Sequence, residues 1–332
     1  MPTPSGRIDI LAIDGGGIRG IIPATILAKM EEKLGHPMWE TFDLIAGTST
    51  GGIIAAAIGA GAKKGDAYTS AELVDLYVEQ GPTIFHRGFL TEAEQVFGPK
   101  YSPEPLEAVL RNFFGDSELK SAKTPLLISS YDVQGNRTFF FKSEKAKAQD
   151  GAAFNWKLRE IARATSAAPT YFPPTQLRNE FHTYTLVDGG VCVNNPAMAA
   201  YAEARRIYPD AKDFLVVSVG TGDRPTELKY EDVRQWGLLG WAKHIAPLFM
   251  DSGSDTADYE LHYIVGNDWN FRFQPGLDKA SSAMDCVTPD NLQALRDDAE
   301  GYLADADIAV KFETVCALLS QRWSAQAVGT GS

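Results

Sequence analysis

The chain has 332 residues, of which 44% are hydrophobic and 22% charged, and it carries a net charge of -12. The length and apolar content suit a globular protein with a substantial core, and the strong negative charge excludes a protein drawn electrostatically to nucleic acid or anionic lipid. Three widely separated cysteines form neither a disulfide framework nor a metal-binding pattern, which favours a reducing, cytoplasmic location.

Residues 7–60 are typical of a strand–helix–strand–helix unit. A short apolar run rich in β-branched side chains leads into a glycine loop at residues 14–20. A helix follows as far as Gly35, and a second apolar strand then runs into the pattern G-x-S-x-G, which Gly47, Ser49 and Gly51 form. We expect the two strands to be parallel and joined by a right-handed crossover, so that both end at one edge of the sheet.

Further strands and helices alternate along the rest of the chain. Apolar runs predict strands at residues 125–131, 138–141, 185–187, 214–219, 259–265 and 269–273. Helical spacing and capping residues predict helices at residues 69–77, 105–114, 156–164, 195–206 and 291–319. Residues 236–250 place several large apolar side chains on one helical face, and we interpret them as a core helix, with a membrane or dimer contact as the alternative.

One domain accounts for the chain. No repeat, low-complexity block or linker divides residues 7–322, and residues 323–332 are predicted to be a loose tail. Residues 81–101 mix aromatic side chains with Gly and Pro, and we interpret them as irregular surface with buried aromatic side chains, with a lid or lipid-contacting loop as the alternative. The first residues lack the apolar core of a signal peptide, and no apolar run reaches the roughly 18 residues of a membrane span, so we expect neither.

Ser49 is the candidate nucleophile. A serine at a tight strand-to-helix turn is presented outward, and the helix N-terminus favours negative charge that develops beside it. Such a serine needs amide donors for the oxyanion. Gly15, Gly16 and Gly17 end the preceding strand at the same edge, where no side chain blocks the approach of their N–H groups to a carbonyl.

Asp188 is the candidate base. His244 and His262 follow Ser49 in the order of a Ser–acid–His triad, but neither stands in a glycine-rich loop after a strand. Asp188 does, because it ends a short strand and is followed by Gly189 and Gly190. A free aspartate is a weak base, so this assignment requires that burial raise its pKa and that it hydrogen-bond to Ser49 directly.

Each motif also has an ordinary alternative explanation. The glycine loop matches G-x-G-x-x-G, which is typical of dinucleotide-binding folds. Such a fold requires an acidic residue at the end of the second strand, where this chain has Gly47, Thr48 and Ser49. This argues against a nicotinamide enzyme. Taken alone, the elbow pattern and Asp-Gly-Gly are also typical of close turns.

Together, residues 14–20, 47–51 and 188–190 resemble the corresponding motifs of the patatin-like phospholipases, and the resemblance extends over nearly the whole chain. It implies a three-layer α/β fold with a central, mostly parallel sheet flanked by helices. It also implies a Ser–Asp dyad without histidine, in which Ser49 is the nucleophile, Asp188 the base, and Gly16 and Gly17, together with Gly15, the oxyanion hole. Arg19 matches the family's basic position that binds substrate, whereas Asp14 is expected to be a structural cap.

The activity that the resemblance implies is hydrolysis of acyl esters in phospholipids, lysophospholipids or galactolipids. It further implies transient contact with a membrane surface, no nucleic acid polymer as partner, and neither a cofactor nor a metal. Two alternatives remain: an α/β-hydrolase esterase with a Ser–Asp–His triad, and a non-catalytic storage or lipid-binding homologue.

Overall fold

A mixed sheet lies at the centre of the protein, in a computed structural model that describes residues 6–60, 67–86, 98–224, 228–266 and 268–329. Within these residues its strands are β1 (Ile8–Ile13), β2 (Leu44–Thr48), β3 (Leu126–Asp132), β4 (Arg137–Lys142), β5 (Thr175–Arg178), β6 (Thr183–Asp188), β7 (Phe214–Val219) and β8 (Asn270–Phe273). The order is β5-β6-β3-β2-β1-β7-β8, with β4 also paired to β3. Strands β3, β2, β1, β7 and β8 are parallel, whereas β4, β5 and β6 join by antiparallel pairing.

Helices cover both faces of this sheet. They are α1 (Ile21–Leu34), α2 (Met38–Thr41), α3 (Thr50–Ala60), α4 (Ser70–Ile84), α5 (Glu104–Phe114), α6 (Ser143–Lys147), α7 (Leu158–Thr165), α8 (Ala197–Ile207), α9 (Tyr230–Val233), α10 (Leu238–Val265), α11 (Pro289–Ala304) and α12 (Ala306–Gly329). Successive side chains of a strand point to opposite faces, so Leu11 and Ile13 of β1 join the larger core with α1 and α3. Ile10 and Ala12 instead join a smaller core with α8 and Leu261. The predicted three-layer α/β architecture is confirmed.

Two predictions about the segment of α10 are wrong. Residues 259–265 are helical rather than a strand, because Ala257 and Leu261, one turn apart, are the buried positions. Residues 236–250 are not a core helix throughout, since the side chains of Trp241 and Phe249 are 40% and 69% exposed. The short, polar strand β5 was not predicted. No helix among the described residues is long and apolar enough to cross a bilayer.

The two segments expected to be irregular have different outcomes. Helix α12 continues to Gly329, past the point where the loose tail was predicted to begin. Helix α4 occupies the start of the irregular segment as far as Ile84, and residues 87–97 lie outside the described ranges.

Candidate active site

Ser49 lies at the tip of the turn between β2 and α3, with φ at 54° in the left-handed region. A Cβ atom on Gly47 would lie 2.1 Å from the carbonyl oxygen of Gly51, and one on Gly51 would lie 2.2 Å from that of Ile13. Close approach of the backbone therefore requires glycine at both positions, while the unusual dihedral belongs to Ser49 itself. The N–H of Ser49 donates to Thr165 Oγ1 at 2.9 Å, which fixes the turn.

The side chain of Asp188 is held directly against this turn. Ser49 Oγ donates to Asp188 Oδ2 at 2.6 Å, and the N–H of Gly190 donates to Asp188 Oδ1 at 2.7 Å. Strand β3 sets the spacing between them, since its Ser129 pairs with Thr48 of β2 and its Ser130 pairs with Asp188 of β6. The nucleophile and the carboxylate therefore meet across one intervening strand.

Burial changes the acidity of this carboxyl group. Asp188 is 4% exposed, and the loss of hydration raises its pKa to about 6, although the hydrogen bonds from Ser49 and Gly190 act in the opposite direction. The carboxylate is still mostly ionised at neutral pH. It is also a stronger base than a free aspartate, as the sequence argument required.

No histidine stands in for this aspartate. All five histidines fall within the described ranges, and none of them hydrogen-bonds to Ser49 or Asp188. The ring of His244 stacks on Trp236, with Nδ1 at 2.9 Å from the carbonyl oxygen of Gly240. His262 is exposed near the end of α10 and contacts Tyr263.

The glycine loop after β1 passes next to Ser49. A Cβ on Gly15 would lie 3.2 Å from Ser49 Cβ, but the N–H of Gly15 already donates to the carbonyl oxygen of Asn194 at 3.3 Å. The structure thus differs from the prediction at Gly15. The N–H groups of Gly16 and Gly17 have no acceptor among the described residues. These two amides remain available for an oxyanion.

An ion pair holds the start of the loop. Both carboxylate oxygens of Asp14 accept from Arg272 of β8, at 3.0 and 2.5 Å, and Arg272 also donates to Ser218 Oγ of β7 at 2.7 Å. Burial raises the pKa of Asp14 in spite of this partner. Asp14 therefore joins the loop to the neighbouring strands, which fits a structural role.

Arg19 lies in the same loop and is half-buried. Its Nη1 donates to the carbonyl oxygen of Gly222 at 3.2 Å, and its Nε to that of Gly16 at 3.4 Å. Burial lowers the pKa of Arg19, against the attraction of Asp251 and Asp223, and a guanidinium remains protonated at neutral pH. Among the described residues, both hydrogen bonds are to neutral oxygens, so the charge is not neutralised by a direct carboxylate partner.

Asn194 connects the glycine loop with helix α10. Its carbonyl oxygen accepts from Gly15, and its Nδ2 donates to Ser254 Oγ of α10 at 3.1 Å. Its Oδ1 is buried without a hydrogen-bond partner among the described residues. The sequence signal was the Asn-Asn-Pro segment six residues after Asp188, but nothing in it indicated a contact with α10.

A family model and several curated plant proteins match this chain in sequence. The family model for the patatin-like phospholipases matches residues 11–201, which include the glycine loop, Ser49 and Asp188. Patatin-like protein 2 of Arabidopsis thaliana is 33% identical over 95% of this chain and 87% of its own length. Patatin-12 of Solanum tuberosum is 35% identical over 76% of this chain and 71% of its own length. The solved structure of VipD from Legionella pneumophila has a TM-score of 0.43 at 10% identity, covering 91% of this chain and 67% of VipD, which is too distant to argue from. The chain therefore belongs to the patatin-like phospholipase family.

Proposed function

We propose that this protein is a lipid acyl hydrolase that cleaves fatty-acyl esters of phospholipids, lysophospholipids or galactolipids through an acyl intermediate on Ser49. The observation that carries the proposal is the 2.6 Å hydrogen bond from Ser49 Oγ to Asp188 Oδ2, beside a glycine loop in which the N–H groups of Gly16 and Gly17 have no acceptor among the described residues. Membership of a phospholipase family supports a lipid ester as the substrate.

Acylation follows from the positions of these groups. Ser49 Oγ attacks the ester carbonyl while Asp188 takes its proton, and the tetrahedral alkoxide accepts hydrogen bonds from Gly16 and Gly17. When the intermediate collapses, the ester C–O bond breaks and the departing alcohol takes the proton from Asp188.

Deacylation repeats the sequence with water as the nucleophile. Asp188 takes a proton from a water molecule that attacks the acyl carbonyl, and the proton then passes to Ser49 Oγ as the fatty acid leaves. Arg19 binds the lipid head group, through its charge where this is a phosphate and through hydrogen bonds where it is a sugar. The cycle needs no metal or cofactor.

The proposal is tested with p-nitrophenyl butyrate, a soluble ester, in the presence of EDTA. Ser49→Ala and Asp188→Asn should each lower kcat/KM by about 10³-fold or more, because each removes a group that acts in acylation, the half-reaction that kcat/KM reports. His244→Ala and His262→Ala are the matched controls and should stay within about twofold of the wild type, whereas a histidine triad would lose its base in one of them.

Labelling separates an enzyme from a non-catalytic relative. A fluorophosphonate should modify the wild type at Ser49 and should leave Ser49→Ala unmodified. A wild-type protein that is neither labelled nor active would instead be a storage or lipid-binding homologue. Full activity in Ser49→Ala would refute the assigned nucleophile.

A further inference from the structure

The glycine loop after β1 has little means of orienting its own amides. Gly15, Gly16 and Gly17 carry no side chains, and glycine has the widest choice of backbone dihedral angles. An oxyanion hole is effective only where its N–H groups already point at the position of the alkoxide before the reaction begins. Contacts from outside the loop must therefore set the direction of these amides.

Thr221 provides such a contact. Strand β7 pairs in parallel with β1, and Val219 is opposite Ile13 at the ends of the two strands. Thr221 and Gly15 each follow two residues later, and Thr221 Oγ1 donates to the carbonyl oxygen of Gly15 at 2.8 Å. The side chain of Thr221 is 3% exposed, so this hydrogen bond is shielded from solvent.

The same hydrogen bond determines the direction of the Gly16 N–H. The peptide bond between Gly15 and Gly16 is trans, so its C=O and N–H groups point in opposite directions. Because the C=O points at Thr221, the N–H points to the other side of the loop, where it has no acceptor among the described residues.

Ser49 lies on that other side. Strand β1 is between β2 and β7 in the sheet, and Ser49 follows β2 while Thr221 follows β7. A Cβ on Gly15 would lie 3.2 Å from Ser49 Cβ, whereas a Cβ on Gly16 would lie 2.2 Å from Thr221 Oγ1. The loop therefore runs between the two side chains, with the Gly16 N–H directed towards the side of the nucleophile.

The hydroxyl of Thr221 has to be distinguished from its shape. Its Cβ and Cγ2 would lie 2.6 and 2.9 Å from a Cβ on Gly16, so the whole side chain is packed against the loop. Only the hydroxyl gives the peptide a direction, because a hydrogen bond aligns a carbonyl group and an apolar contact does not. Substitutions that change one property and keep the other separate the two roles.

We propose that Thr221 is a positioning residue of the oxyanion hole: its hydroxyl holds the carbonyl of Gly15 so that the N–H of Gly16 faces the alkoxide formed at Ser49. This inference rests on the proposed function, because the alkoxide exists only if the protein transfers an acyl group. Thr221 lies outside residues 11–201, which the family model matches.

Thr221→Val and Thr221→Ser test the role of the hydroxyl in the full-length protein, with p-nitrophenyl butyrate as substrate. Active sites are counted by complete fluorophosphonate labelling. Valine keeps the branched shape but cannot donate, so kcat per active site should fall by about tenfold or more, towards the 10²–10³ that loss of one oxyanion donor costs. KM should stay within about threefold, because Thr221 does not contact the substrate. Serine keeps the donor, so Thr221→Ser should stay within about threefold of the wild type.

Thr124→Val is the matched control. Thr124 is also 3% exposed, and its Oγ1 donates to the carbonyl oxygen of Phe42 at 2.9 Å, before the start of β2 and β3 and so at the opposite end of the sheet. Both valine variants leave a buried carbonyl without its donor, so both should lower the urea midpoint of unfolding. Only Thr221→Val should lower kcat. Thr221→Ala, which places no methyl group against the Gly15 carbonyl, replaces Thr221→Val if that variant does not fold.

An alkyl trifluoromethyl ketone reads the oxyanion hole directly. Ser49 Oγ bonds to its carbonyl carbon, the serine proton passes to Asp188, and the carbonyl oxygen becomes an alkoxide like that of the reaction. The inhibition constant should rise in Thr221→Val by about the factor that kcat falls. The midpoint of the pH profile should stay at about 6, because Asp188 keeps both of its hydrogen bonds.

These measurements separate failure of the inference from failure of the proposed function. In an active wild type, unchanged kcat per active site in Thr221→Val would overturn the role of Thr221 and leave the acyl hydrolase standing. Thr221→Ser as slow as Thr221→Val would also overturn it, because shape and not the hydroxyl would then matter. An equal loss of kcat in Thr124→Val would do the same. A wild type that cleaves no ester would refute the proposed function, and the inference with it.

Discussion

The carboxylate of Asp188 is held by two hydrogen bonds in surroundings that exclude water. Those bonds, from Ser49 and Gly190, stabilise the charged form, yet burial outweighs them and the pKa rises to about 6. A carboxylate with this pKa accepts a proton more readily than a free one and is still available at neutral pH. In the proposed reaction, this environment lets an aspartate take the role that histidine has in most serine hydrolases.

The pH dependence of the reaction follows from this pKa. Protonated Asp188 cannot take the proton of Ser49, so kcat/KM for p-nitrophenyl butyrate should fall about tenfold per pH unit below the pKa and level off above it. The midpoint should lie at about 6. Carboxyl groups ionise with a small enthalpy, so we expect this midpoint to change little on warming. An imidazole base would show a midpoint that falls with temperature, which would contradict the assignment.

Sequence patterns predicted some residues of the site but could not predict others. Ser49 and Asp188 were found because each follows a strand and is flanked by the glycines that a close turn requires. The engaged N–H of Gly15 could not be foreseen, because it depends on where the carbonyl oxygen of Asn194 lies in space. For the same reason, the contact between Asn194 and Ser254 of α10 could not be predicted from sequence patterns.

At the scale of elements, the strand–turn–helix unit depends on contact between backbones. Gly51→Ala should lower the free energy of unfolding by more than about 3 kcal/mol, because its Cβ would meet the carbonyl oxygen of Ile13 at 2.2 Å and β1 cannot move away. Urea unfolding measures this. Gly301→Ala in α11 is the control: its Cβ would have no neighbour within 4 Å, so it should raise stability by about 0.5–1 kcal/mol. Equal effects of the two substitutions would contradict the packing described for the turn.

Among the strands and helices, the direction of β6 is what sequence patterns could not predict. An apolar alternation predicts a strand but does not say whether it pairs in parallel or antiparallel fashion. Strand β6 is antiparallel to β3, and it pairs over only three residues, from Asp132 with Leu186 to Ser130 with Asp188. Strand β6 therefore begins beyond the carboxyl ends of the parallel strands and runs back toward them. Its last residue, Asp188, lies beside Ser49.

At the scale of the whole molecule, buried charges join the two ends of the chain at the start of β1. Arg7 Nε donates to Asp9 Oδ1 at 2.7 Å, and Arg322 Nη2 donates to Asp43 Oδ2 at 2.5 Å, with both carboxylates shielded from solvent. The single domain predicted over residues 7–322 ends at this arginine. The spacing of apolar residues could predict helix α12. It could not predict the ion pair between Arg322 and Asp43, because these residues are 279 positions apart in the chain.

Two changes near the C-terminal end of α12 distinguish the contribution of this ion pair from that of the residues after it. Arg322→Met should lower the free energy of unfolding by about 3–5 kcal/mol, because the Asp43 carboxylate would remain buried without its cation. Deleting residues 324–332 keeps Arg322 and the stacking of Trp323 on His36, with ring centroids 3.8 Å apart, and should change stability by less than about 1 kcal/mol. Urea unfolding followed by near-ultraviolet circular dichroism measures both. If the deletion proved as harmful as the substitution, the terminal turns of α12 and not the ion pair would be what holds the two chain ends together.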